Sequence, residues 1–97
     1  MHPSEAEVFD WDEGNEDELR DHAISSDEVE QVFANGPVFA PNKRHRAGDW
    51  KMLGRTDGGR SLTVVVHLDE TRLALRPITG WDATRGEMSR YFTRGES

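Results

Sequence analysis

The sequence predicts an α+β domain, an antiparallel meander sheet with two N-terminal helices and one C-terminal helix packed on it. Three observations lead there. The first third holds two capping boxes, Asn15 with Glu18 and Ser25 with Glu28. Residues 50–79 hold runs rich in aliphatic and β-branched side chains, separated by turn residues. A third box, Thr84 with Glu87, opens a closing helical pattern. Helices placed before and after a meander pack onto it in layers around one core. A chain of 97 residues has room for one such core, so residues 1–97 are read as a single domain.

Taken in order, Glu7-Val8-Phe9-Asp10-Trp11 alternates polar and apolar residues and reads as a short strand ended by Gly14-Asn15. Asn15 is read as the N-cap of a helix over about 15–23, with Leu19 and Ala23 on one face. Ser25 caps a second helix, where Val29, Val32 and Phe33 share a face at i, i+3, i+4. Asn35-Gly36-Pro37 stops it. Residues 38–40 fit a short strand, and Pro41 to Asp49 a basic loop. Trp50 to Thr56 is strand-like, and Asp57-Gly58-Gly59 is a hairpin turn. Ser61 to Leu68 follows, with Leu62, Val64, Val66 and Leu68 on one face and His67 half-exposed on the other. Asp69-Glu70-Thr71 turns the chain into a return strand, Arg72 to Thr79, in which Pro77 marks an edge or a bulge. The last helix is expected over about 83–93, burying Met88, Tyr91 and Phe92.

Charge is unevenly distributed. Residues 1–30 carry twelve acids and one base, Arg20; residues 31–97 carry eleven bases and seven acids. The net charge of −7 therefore conceals a basic C-terminal two-thirds. Phosphate-binding surfaces arise from local clusters rather than from overall charge, although solvated faces produce the same composition. With no cysteine, a disulfide scaffold, thiolate catalysis and a Cys-based zinc site are excluded. His2, His22, His45 and His67 lack ligand spacing, so neither a metal nor another cofactor is expected. His22 falls at the end of the first helix, where a cation is favoured, and it is assigned a structural role with Trp11. The apolar run Val64–Val66 is far too short to span a bilayer. With no charged-then-apolar leader, a cytoplasmic protein without membrane contact is expected.

The basic residues are the candidates for chemistry. Arg55 lies near a strand end, Arg76 sits within the return strand between Leu75 and Pro77, and Arg85 opens the last helix. Guanidinium groups grip phosphate bidentately, so convergence of these three would stabilise charge building on a phosphate. Lys43, Arg44 and Arg46 extend the set from the basic loop. Arg90 and Arg94, an i, i+4 pair, would alternatively pair with Glu87 and the acidic first helix.

Several stretches together resemble the BrnT-like toxin family. They are Phe9-Asp10-Trp11-Asp12, Leu19 to Ser25 with its His22, Glu28-Val29-Glu30, Leu53-Gly54-Arg55-Thr56, Leu62–Val66, Leu75-Arg76-Pro77-Ile78-Thr79, and Ala83-Thr84 through Glu87 to Tyr91. The resemblance spans most of residues 8–92. It implies a RelE-like α+β fold and the toxin of a bacterial type II toxin–antitoxin pair. Such a toxin is a metal-independent endoribonuclease that cuts RNA and is neutralised by a DNA-binding antitoxin of ribbon-helix-helix or helix-turn-helix type. By position, it implies Arg55, Arg76, Thr79, Glu87, Arg90 and Tyr91 as catalytic candidates. Lys43, Arg44, Arg46, Trp81 and Arg85 would bind RNA. The chain departs from the family pattern at Thr79-Gly80-Trp81-Asp82, where relatives carry cations. Trp81 would either stack a base or plug the core. Two other readings stay open. One is a catalytically silent member that binds an antitoxin or other regulator; the other is a regulator whose acidic segment 5–30 covers the basic face.

Overall fold

Each end of the chain starts its helices with a reciprocal cap, and those caps decide where the elements lie. The computed structural model describes residues 1–42 and 49–92, the last two by backbone alone. After a 3-10 turn over Pro3–Glu5 comes strand β1, Val8–Phe9. Helix α1 then runs over Glu13–Asp21. Its N-cap is Asp12 and not the expected Asn15, so it starts and ends two residues early. Asn15 is the N3 partner instead: its Oδ1 accepts the Asp12 N–H, and Asp12 Oδ1 accepts the Asn15 N–H, both at 2.9 Å. In that place the Asn15 amide also donates to the carbonyls of Asp10 and Pro77, tying α1 to the sheet. Helix α2, Ser26–Ala34, is capped by Ser25 and Glu28 as predicted, buries Val29 and Val32, and stops where Gly36 takes φ 73°.

Strands β2 (Val38–Pro41), β3 (Asp49–Arg55), β4 (Ser61–Asp69) and β5 (Ala74–Asp82) form the predicted antiparallel meander. The sheet order among the described residues is β1-β5-β4-β3-β2. One strand joins the meander in the other direction: β1, whose pairing the sequence left open, runs parallel to β5. Parallel neighbours need a long crossover, and everything from α1 to β4 supplies it. The return strand also starts and ends later than predicted. Residues 69–73 form a turn in which Asp69 Oδ1 takes the N–H groups of Thr71 and Arg72, and Leu73 adopts φ 52°. Val66 faces Pro77 while Val65 faces Thr79, so Ile78 is the extra residue of a β-bulge. A bulge tolerates the N–H that Pro77 lacks and lets the strand continue to Asp82.

Leu62, Val64, Val66 and Leu68 form the predicted apolar row. It packs with Met52 and Leu75 against Leu19, Ile24, Val29 and Val32, all at most 8% exposed. Burial at this level stabilises by about 1.5–3 kcal/mol per large side chain. Arg60 closes one end of this layer. Its guanidinium donates to Asp82, to the Ala23 carbonyl and to Glu28.

The reverse face is covered too, since Leu53, Thr63 and Val65 are buried. Over it lies α3, a single turn at Arg85–Glu87 capped by Thr84, continued by a π-helical turn at Met88–Phe92. Met88 is exposed, not buried as expected. Glu87 is the residue turned to the sheet, and successive helical residues point about 100° apart, which leaves Met88 facing solvent. No helix among the described residues is long and apolar enough to cross a membrane.

Candidate functional site on the reverse sheet face

Side chains alternate across a pleated sheet, so the cross-strand register decides which groups share the reverse face. Asp49 of β3 lies opposite His67 of β4, and His67 lies opposite Arg76 of β5. An acid, an imidazole and a guanidinium therefore stand in one row across three strands. Directly opposed residues have Cβ atoms about 5 Å apart. His67 Nδ1 and Asp49 Oδ1 are 2.8 Å apart. The carboxylate can only accept, so Nδ1 carries a proton, and Nε2 presents a lone pair whenever the ring is neutral. Asp49 has a 3% exposed side chain, while that of His67 is 32% exposed, so the dyad is anchored inside and open outside.

Arg76 is half-exposed and leans on acids from the segment after β1. Its Nη2 is 2.7 Å from Asp12 Oδ2, and its Nη1 is 3.7 Å from Asp10 Oδ2. The Asn15 backbone N–H and then the Arg76 guanidinium hold the Asp12 carboxyl below its ordinary range. Asp12 is half-exposed in its side chain. Exposed pairs of this kind are weak, so an incoming phosphate can displace it.

Further along the same face, Glu87 Oε1 accepts from Thr63 Oγ1, Trp81 Nε1 and the Thr84 N–H, with Lys51 Nζ 3.9 Å from Oε2. Burial works against its charge. The Thr84 N–H, the Thr63 hydroxyl, the Trp81 N–H and Lys51 outweigh it and hold the carboxyl below its usual range. This cluster fastens the last helix to the sheet, with half-buried Trp81 as one of its struts.

The predicted set is thus divided. Arg76 stands opposite His67 in register, with its guanidinium turned to Asp12 and Asp10, while Trp81 donates to Glu87. Thr79 donates to Glu18 of α1 at 2.8 Å. Arg55 does not join Arg76: it pairs in register with Ser61, six residues along β4 from His67. At about 3.3 Å per residue that separation is about 20 Å, beyond the reach of two arginines onto one phosphate. Arg55 Nε instead donates to Ser61 Oγ, at 3.4 Å. Arg85 and Arg90 are exposed on the closing turns. Lys43, Arg44, Arg46 and the side chain of Tyr91 lie outside the described residues. His22 is the C-cap of α1 beside Glu18, and Trp11 donates to Glu30 while stacking on Phe9.

Sequence reasoning passed over Asp49, Lys51 and the pairing of His67. A signal for the pair exists. Once Asp57-Gly58-Gly59 is the hairpin turn, Arg55 must face Ser61, and counting outward brings Asp49 to His67.

The fold is BrnT-like. It matches the crystal structure of the Brucella abortus ribonuclease toxin BrnT with a TM-score of 0.63 at 19% identity, covering 80% of this chain and 97% of that one. No family model matches the sequence, and neither does any curated protein.

Proposed function

We propose that this chain, starting from a BrnT-like fold, is the toxin of a bacterial type II toxin–antitoxin pair and a metal-independent endoribonuclease acting in the cytoplasm. The observation that carries the reading is the row Asp49–His67–Arg76 on a fold shared with a ribonuclease toxin. Nε2 of His67 takes the proton of an RNA 2′-hydroxyl while buried Asp49 fixes the ring and its tautomer. The 2′-oxygen attacks the adjacent phosphorus. Arg76, released from Asp12, holds the non-bridging oxygens as their charge grows. The 5′-oxygen departs and takes a proton from water, the hydroxide so formed takes the proton held on His67, and the products are a 2′,3′-cyclic phosphate and a 5′-hydroxyl.

Glu87 anchors the closing helix in this reading. Arg55, Arg85, Arg90 and the loop residues Lys43, Arg44 and Arg46 serve the wider RNA backbone, where each neutralised phosphate adds salt-sensitive affinity. A DNA-binding protein antitoxin, of ribbon-helix-helix or helix-turn-helix type, is the neutralising partner.

The test is digestion of a synthetic single-stranded RNA in EDTA by the wild type, His67→Ala and Arg76→Ala. Cleavage with cyclic-phosphate ends is expected, falling about 10²–10⁴-fold in each variant. RNA left intact by the wild type at every ionic strength refutes the enzyme. The Arg76 contact to Asp12 favours a second reading in that event: a silent member whose reverse sheet face only binds the antitoxin.

A further inference from the structure

Beside Arg76, on the side away from His67, lies a groove that the cleavage step leaves unused. It has a volume of about 420 Å³ and is lined by Asn15, Glu18, Arg76, Pro77, Ile78 and Thr79, among others. That is within the range of small-ligand pockets. Two features of the fold create it. The pairing of β1 with β5 ends at Leu75, so the described part of β5 beyond that residue has no neighbouring strand on this side. The bulge at Ile78 then turns an aliphatic side chain toward the gap between β5 and α1.

The carboxylate in this groove is that of Glu18. Its Oε2 accepts the Thr79 hydroxyl at 2.8 Å and lies 3.2 Å from His22 Nε2. Both contacts fall on that one oxygen and hold it in place. Its Oε1 takes no hydrogen bond among the described residues. Asn15 cannot compete for a ligand, because both of its amide hydrogens already serve the carbonyls of Asp10 and Pro77. The groove therefore offers an open acceptor oxygen, Glu18 Oε1, beside an aliphatic wall, next to the cation that would hold a phosphate.

We propose that this groove is a base-reading subsite for guanine, which rests on the nuclease reading and places cleavage beside guanosine. Guanine alone among the four bases presents two adjacent donors on its Watson–Crick edge, N1–H and the N2 amine. The open Oε1 of Glu18 accepts both, one on each lone pair, since Oε2 already serves Thr79 and His22. Adenine and cytosine set a ring-nitrogen acceptor beside their amine, which repels that oxygen. Uracil flanks its single N–H with two carbonyl oxygens, which do the same. The flat base lies against Pro77 and Ile78, and its 3′-phosphate reaches Arg76. Single-stranded RNA is commonly recognised in this way, through the edges of splayed-out bases.

The test has two arms. In the first, the wild type and Glu18→Gln digest a synthetic RNA of mixed sequence, and the cut sites are mapped. The wild type is expected to cut beside guanosine. Glu18→Gln is expected to reduce the ratio of guanosine to non-guanosine cuts by about tenfold or more. Equal use of all bases by the wild type, or an unchanged ratio in Glu18→Gln, overturns the proposal. In the second arm, the four nucleoside 3′-monophosphates are titrated into the labelled wild type while the Ile78 and Thr79 amide signals are followed. Guanosine 3′-monophosphate is expected to shift them at the lowest concentration. If that arm succeeds while no RNA is cut, the subsite stands and the nuclease reading falls. If guanosine 3′-monophosphate leaves both signals in place, the subsite is refuted whatever the digestion shows.

Discussion

Gly80→Ala tests the seat of the helices on the sheet. Gly80 lies opposite Val64 on the helix-covered side of β5. A Cβ added there would stand 3.0 Å from the Thr63 carbonyl oxygen, 3.1 Å from Leu19 Cδ2 and 3.3 Å from Ile24 Cδ1. The carbonyl belongs to the backbone of β4, held on both sides by β3 and β5, so it cannot retreat. Leu19 and Ile24 are 0% and 2% exposed and have little space to move into. Overfilling a packed core costs about 1–3 kcal/mol, and one rigid contact plus two core contacts puts this site near 2 kcal/mol. For a domain of this size that lowers Tm by about 10 °C. Gly58→Ala is the control, because its Cβ meets only Thr56 Oγ1, at 3.8 Å. It is expected to stay within about 0.5 kcal/mol of the wild type. Thermal unfolding followed by circular dichroism reads both. If Gly80→Ala melts together with the wild type, α1 and Ile24 do not rest on β5 as described, and the groove between them loses its geometry.

Arg60→Ala removes donors from Asp82, Glu28 and the Ala23 carbonyl at once, and denaturant unfolding should show a loss of about 2 kcal/mol. A loss below about 0.5 kcal/mol refutes the clamp. Asn15→Ala strips hydrogen bonds from the Asp10 and Pro77 carbonyls and from the Asp12 N–H; about 2 kcal/mol and faster amide exchange over residues 12–15 are expected. Stability should also fall in acid. Asp82 is held low by Arg60. Burial opposes the charge on Glu28, but the Ser25 N–H and Arg60 outweigh it, and Glu87 is likewise held low. Because these folded values lie below the unfolded ones, the stabilisation is complete above about pH 4.5 and disappears as pH drops through the folded values. A Tm unchanged between pH 6 and pH 3 contradicts those assignments.

Local rules carried much of the fold. Ser25 with Glu28 found α2, because a cap and the apolar face behind it are both short-range features. The Leu62–Leu68 alternation found β4 and its buried face in the same way. The start of α1 was misread because Asp12 and Asn15 are both competent caps, and the choice fell to the distant Pro77 carbonyl that Asn15 also serves. The parallel pairing of β1 joins Val8 to Ala74, which no local pattern encodes. Pro77 announced a bulge, yet not that the strand would resume beyond it. At the site, Arg76 stood out because a strand arginine between Leu75 and Pro77 is unusual. His67 did not, because a histidine on a half-open strand face is ordinary until its partner across the hairpin is counted. Arg55 and Arg76 looked like a pair only while the register between their strands was unknown.

The parallel seam between β1 and β5 bears on how this molecule is made. A ribosome releases Val8 and Phe9 before their docking place at Ala74 and Leu75, which emerges only after α1, α2 and strands β2 to β4 have been translated. Until then the first strand has nowhere to settle, and the carboxylates behind it cannot meet Arg76. A nascent chain therefore cannot set Asp10 and Asp12 against Arg76 until β5 has formed, whereas Asp49 and His67 can pair earlier within the β3–β4 hairpin.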